Sequence, residues 1–134
     1  MFNQIKTSKD IQAFLEKTNS LHDGYILSVQ YLHNGITASE NRVDFEPDKT
    51  KLTLQILVTS IWNAVVEIEF EDLYKWQIKG ADGDIFHTSV TFDQNRWIVW
   101  ADDAFVDMEQ IKHGSYVIAR SMKWRITEQK THKE

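Results

Sequence analysis

The sequence contains no cysteine, a single proline at Pro47 and five glycines. Without cysteine there is no disulfide framework, no thiolate nucleophile and no thiolate metal site. Such a chain suits a reducing compartment, and a cytoplasmic protein is expected. No run of about 18 apolar residues is present, so no membrane-spanning helix is expected. The opening MFNQIKTSKD lacks the apolar core of a signal peptide. Basic residues are also too few for a phosphate-tracking stripe. Lys and Arg number 15 against 20 Asp and Glu, a net charge of −5, so nucleic acid is not an expected partner. HExxH, GxSxG and Walker sequences are missing, and the five histidines never fall at ligand spacing within one element. No metal and no cofactor are expected.

What remains is an ordinary globular composition: 134 residues, 42% hydrophobic and 26% charged. That length suits one domain with a real core. Residues 1–126 are read as a single α+β domain. Residues 127–134 are polar, lack periodicity and read as a frayed tail.

Residues 51–79 organise the pattern. Leu52, Leu54, Ile56 and Val58 alternate with Lys51, Thr53, Gln55 and Thr59. Ala64, Val66, Ile68 and Phe70 alternate with Glu67, Glu69 and Glu71. A period of two places one side on a core and the other in water, as in antiparallel hairpins. A loop at Glu71-Asp72-Leu73 is expected to turn the chain again, pairing Phe70 with Tyr74, Ile68 with Trp76 and Glu69 with Lys75.

Elsewhere, residues 7–19 read as an amphipathic helix capped by Ser8, with Ile11, Phe14 and Leu15 on one face. His22-Asp23-Gly24 reads as a turn with positive φ at the glycine. Residues 25–33 form the first strand, expected to be covered on both faces. Residues 34–50 carry Asn34-Gly35 and Pro47-Asp48 turn signals, with Val43-Asp44-Phe45 as a short strand or part of a long loop. Gly80 to Gly83 reads as a tight connection. Residues 85–92 and 96–101 form a hairpin on a two-residue Gln94-Asn95 turn, which sets Ser89 beside Trp100 and His87 beside Asp102. A short helix is expected within residues 102–113. A last strand over 115–126 would place Tyr116, Ile118, Met122 and Trp124 inward, with Arg120 on the same face. The expected fold is α+β: an antiparallel, strongly twisted or half-barrel sheet of six to seven strands, with the N-terminal helix packed on it.

Candidate sites each have a structural and a functional reading. His22-Asp23 is either a turn whose histidine caps a helix end, or a ligand-binding pair. His87 with Asp102 would fix a histidine tautomer, or be an ordinary cross-strand pair. Arg120 on an apolar face is either an ion-paired rim residue or an anchor for an anion. The row Glu67, Glu69, Glu71 and Asp72 is either a solvated outer face or a docking surface for a basic partner. Of the five tryptophans, Trp62 falls at a strand junction and Trp100 on the outer face, where an exposed indole suits contact.

The stretches HDGYILSVQY, LTLQILV, AVVEIEFEDLYKWQI and RWIVWADD together resemble small uncharacterised bacterial domains with an HD-x-x-I/V start and an F-x-x-V/L turn. Some of these sit among immunity proteins that protect a bacterium from its own contact-delivered toxins. The matching positions are His22, Asp23, Phe70 and Leu73. The resemblance implies an antiparallel sheet with a flanking helix, no cofactor, and action by binding. The leading expectation is a non-enzymatic protein-binding domain, of immunity type, presenting an acidic face to a basic toxin domain. The alternatives are a curved sheet holding a small ligand with Arg120 as anion anchor, and a hydrolase using His22 and His87. The chain is expected to be a monomer or an edge-paired homodimer.

Overall fold

The computed structural model describes residues 1–79, 84–85, 87–103, 108–111 and 113–129. The expected connection at Gly80 to Gly83 lies outside them. In chain order the elements are β1 (Asn3–Gln4), α1 (Ser8–Lys17), β2 (Gly24–His33), β3 (Ile36–Ser39), β4 (Arg42–Phe45), β5 (Thr50–Val58), β6 (Ala64–Gln77), β7 (Asp84–Ile85), β8 (Ser89–Phe92), β9 (Ile98–Ala101), α2 (Met108–Ile111) and β10 (Tyr116–Gln129). The main sheet is antiparallel and open, in the order β7-β2-β5-β6-β10-β9-β8. The fold is α+β and dominated by the sheet. No helix among the described residues is long and apolar enough to cross a membrane.

β10 ties the two parts of this sheet together. One side of it pairs with β6 from Tyr116 to Gln129. The other side takes β9 at Tyr116 to Ala119 and β1 at Lys123 and Trp124. It runs three residues past Ile126, into the stretch read as tail.

α1 forms because its first turn is well closed. Thr7, rather than Ser8, is the N-cap: its hydroxyl accepts from the Asp10 amide, and Asp10 accepts from the Thr7 amide in return. Its apolar face is the expected one. Phe14 is fully buried, with Ile11 and Leu15 packed beside it. The Phe14 ring meets Trp124 edge-on, centroids 5.4 Å apart. The same core takes Leu52, Leu54, Ile56, Val66, Ile68 and Phe70 from β5 and β6, all fully buried. Their register, Leu52 with Phe70 through Val58 with Ala64, follows the alternation.

Several expectations are corrected. β6 does not turn at Glu71-Asp72-Leu73. It runs straight through, with Asp72 at φ 59 making a local irregularity. Phe70 therefore faces Leu52 and Met122, and Lys75 faces Ile118. A three-residue turn wants glycine, and the long strand β10 offers a ladder that a bulge preserves. A register shift follows between Ile118 and Ala119, where Tyr74 of β6 is passed over. Val117 and Ala119 join the main core, while Tyr116 and Ile118 join a second cluster with Val99, Ala101 and Ile111. Arg120 comes out exposed.

The β8–β9 register is one residue off the expected one: Val90 faces Trp100 and Ser89 faces Ala101. The loop has three residues, with Arg96 at φ 67. Asp93 holds it, its Oδ1 accepting from the amides of Asn95 (2.8 Å) and Trp97 (2.9 Å). A one-residue slip exchanges the faces. Trp100, expected outside, is fully buried against Phe70. His87 loses its place beside Asp102 and stands exposed before β8 begins.

At the start of β2, Asn19, Ser20 and Leu21 are all left-handed (φ 53, 55 and 53), and Asp23 at φ 58, not Gly24, takes the next positive φ. Such backbone is costly for non-glycine residues. Here burial of Leu21 fixes it.

Candidate interaction surface

The outer face of β5, β6 and β10 holds the acidic row. Glu67 accepts from Arg125, with Nη2 at 2.7 Å and Nε at 2.8 Å of Oε1. Lys51 Nζ lies 2.9 Å from Glu69, and Lys123 Nζ lies 3.6 Å from Glu71. Glu69 holds the Lys51 ammonium above its ordinary pKa, with Glu71 and Glu67 adding to the effect. Phe2 lies over two of these cations, 4.9 Å from Lys123 Nζ and 4.3 Å from Arg125 Cζ. Carboxylates and cations therefore alternate across three strands. The side chains of Glu67 and Glu69 are only 13% and 11% exposed. The row is an internally paired lattice, not a free negative field.

The other candidates are placed as follows. His22 Nε2 lies 3.7 Å from Asp23 Oδ2, because left-handed Asp23 swings neighbours together that an extended chain would separate. The His22 carbonyl accepts from Ser60 Oγ, and the Asp23 carbonyl from Thr59, so the pair is also the knot joining β2 to the β5–β6 turn. Trp62 sits in that turn at φ 64 and is 78% exposed. Arg120 lies over Trp97, Cζ 3.9 Å from the ring centroid, and donates to the Asn95 carbonyl at 3.3 Å. Trp97 also meets Tyr74 at 5.2 Å. The sheet's interior is filled by Phe14, Trp100 and Met122. Two grooves flank α1 outside it, and Arg120 lines neither. Ser89 donates to the Asp103 carbonyl. Among the described residues no group of three His, Asp or Glu side chains is placed to hold a metal.

Asp102 is half-buried and packs against Gly114, whose missing Cβ leaves room for Oδ1. Burial raises its pKa above 3.8, nearby Asp103 adds to this, and hydrogen bonds from Ser115 oppose it. A carboxyl with a raised folded pKa contributes stability below its unfolded value and loses it as pH climbs through the folded value. Asp102→Asn, which keeps an acceptor for Ser115, is expected to hold or raise the melting temperature at pH 7 and to flatten its fall between acid and neutral pH. A lower melting temperature at pH 7 would show that the charge is needed.

The short strand offered at Val43-Asp44-Phe45 is present as β4, and the long-loop alternative falls; sequence reasoning missed its partner, β3. β3 and β4 form a separate two-stranded hairpin, Ile36 with Phe45 and Ala38 with Val43. Paired residues share a face, so Ile36, Ala38, Val43 and Phe45 make one apolar side. Thr37, Ser39, Arg42 and Asp44 make the other, with Arg42 Nε 2.8 Å from Asp44 Oδ1. The hairpin is rooted by the Glu46 amide donating to the Gly35 carbonyl at 2.8 Å. A Cβ at Gly35 would sit 2.5 Å from the Glu46 carbonyl oxygen, so the close approach needs glycine. The apolar side is open: Ile36 is 50% exposed, Val43 51% and Phe45 62%. The alternation ITAS…RVDF about Glu40-Asn41 was the available signal.

β2 leads into this hairpin and is also open. Among the described residues, β7 covers its edge at Gly24 and Tyr25 alone. A bulge between Ile26 and Ser28 changes its parity. Tyr25 therefore shares the face of Leu57, and Val29 and Tyr31 share that of Leu54 and Leu52. Tyr25, Leu27, Val29, Tyr31 and Leu32 are all exposed. The expected cover on both faces is absent among the described residues, because α1 packs toward Trp124 and β8 instead.

Compared with protein families, curated proteins and solved structures, the chain shows no match. The functional reading therefore rests on these surfaces alone.

Proposed function

We propose that the chain is a protein-binding domain that acts by contact, through the apolar side of the β3–β4 hairpin and the adjoining edge of β2. The observation that carries this is the hairpin's open face of Ile36, Val43 and Phe45. A lone two-stranded hairpin is marginal in water. An exposed apolar face on one, touched only by the His33 ring at Phe45 among the described aromatic contacts, is best accounted for by another polypeptide covering it. An immunity-type role in the cytoplasm is one form of such binding. With Glu67 and Glu69 occupied by Arg125 and Lys51, the apolar surface rather than the acidic one is suited to serve it.

A photo-crosslinking residue at Val43, in the full chain in its native cell, is expected to give discrete adducts with polypeptide. The same residue at Lys9, on the exposed side of α1, should not. Equal labelling from the two positions, or none from Val43, would remove the surface from consideration.

A further inference from the structure

We propose that the occupant of this surface is a second copy of the same chain, joined by antiparallel pairing of β2 with its twofold mate; this rests on the protein-binding reading above. Three observations lead there. First, the open edge carries none of the usual guards. Residues 24–32, GYILSVQYL, contain no charge and no proline, whereas exposed edge strands are normally blunted by lysine, proline or inward charge. A neutral edge meets no like-charge repulsion from its own copy, although the chain as a whole carries −5. Nothing on it selects a charged partner.

Second, twofold antiparallel pairing solves both ends at once. It lays the Leu32 end of one free edge beside the Ile26 end of the other, next to β7. The hairpin that follows His33 is carried toward the partner's Tyr25 and the β5–β6 turn bearing Trp62. These are the exposed aromatic groups at the opposite end of β2 from the hairpin. Each copy supplies an apolar arm and receives one, which is the self-complementarity that a closed twofold contact requires.

Third, the area available is of the right order. The open parts of Leu27, Val29, Tyr31, Leu32 and the hairpin's three large apolar side chains amount to roughly 700 Å² per copy, near the roughly 800 Å² per partner of a standard interface.

The absence of cysteine makes a direct test available. The full chain is run in sedimentation equilibrium up to about 1 mM, where even weak pairing registers. The expected species has twice the 15.7 kDa of one chain and changes little between low and high salt. Leu27→Lys is expected to return the 15.7 kDa species with its melting temperature as a monomer unchanged. Single Ser28→Cys, Val29→Cys and Gln30→Cys variants then locate the axis. In a twofold sheet one residue faces itself, so one variant should form the intermolecular disulfide far faster than the other two. A monomer at every concentration overturns the proposal, as does a dimer that persists with Leu27→Lys or oxidises equally at all three sites. The Val43 crosslink separates the two readings. Adducts with a different polypeptide from a monomeric chain sink the second copy and keep the binding surface. No adduct with any polypeptide, its own copy included, sinks both.

Discussion

Phe14→Ala is expected to lower the free energy of unfolding by about 3–5 kcal/mol, the range for removing a buried aromatic ring from a packed core. α1 has ten residues, too few to persist alone in water. Phe14 is its one fully buried side chain. The ring closes the main core against Trp124, and Ile11 and Leu15 pack only at its margin. Leucine at this position should recover part of the loss, since apolar volume returns without the edge-to-face contact. Urea unfolding followed by tryptophan fluorescence reads the effect. A loss below about 1 kcal/mol would mean that the helix is not what seals this side of the sheet.

The double substitution Glu67→Lys with Glu69→Lys is expected to cost about 2–4 kcal/mol, less than a fully buried pair because the side chains keep some solvent. Each carboxylate lies among cations: Glu67 against Arg125, Glu69 against Lys51. Reversal leaves those partners unpaired and adds two more positive charges beside Lys123. Salt should recover part of the loss by screening. From the sequence, these positions invite a binding experiment. The paired lattice means that the substitutions act first on the fold, so lost binding in such a variant would not identify a contact. Thermal melts at two ionic strengths decide it. An unchanged melting temperature would show that the ion pairs contribute nothing.

The parts legible in the sequence were those where one periodicity acts without interruption. β5 and the first half of β6 follow strict alternation, and α1 follows its apolar stripe. The misplacements share one cause. Asp72, Arg96 and Leu27 each mark an irregularity that shifts parity, and none is a glycine that would announce it. After each, faces exchange: Trp100 goes in, and Arg120 comes out onto Trp97. Strand partners were a second blind spot. The glutamates appeared uncompensated because Arg125 and Lys123 lie more than 50 residues away in β10, and Lys51 reaches Glu69 diagonally across the β5–β6 ladder. The β3 half of the β3–β4 hairpin was hidden for the opposite reason. Its short apolar positions imply burial, and a side facing solvent has no local signature.

The strand that joins β6 to β9 and β1 is the last to be synthesised of all those described. Until residues 116–129 leave the ribosome, β6 has β5 alone, and β9 has no route to the rest of the sheet. The nascent chain must wait with the rows of β6 unpaired, and contacts so distant in sequence form slowly. A stalled or shortened translation product would expose the same kind of sticky ladder that the finished molecule confines to β2. Chaperone demand during synthesis should therefore fall abruptly once that final strand emerges.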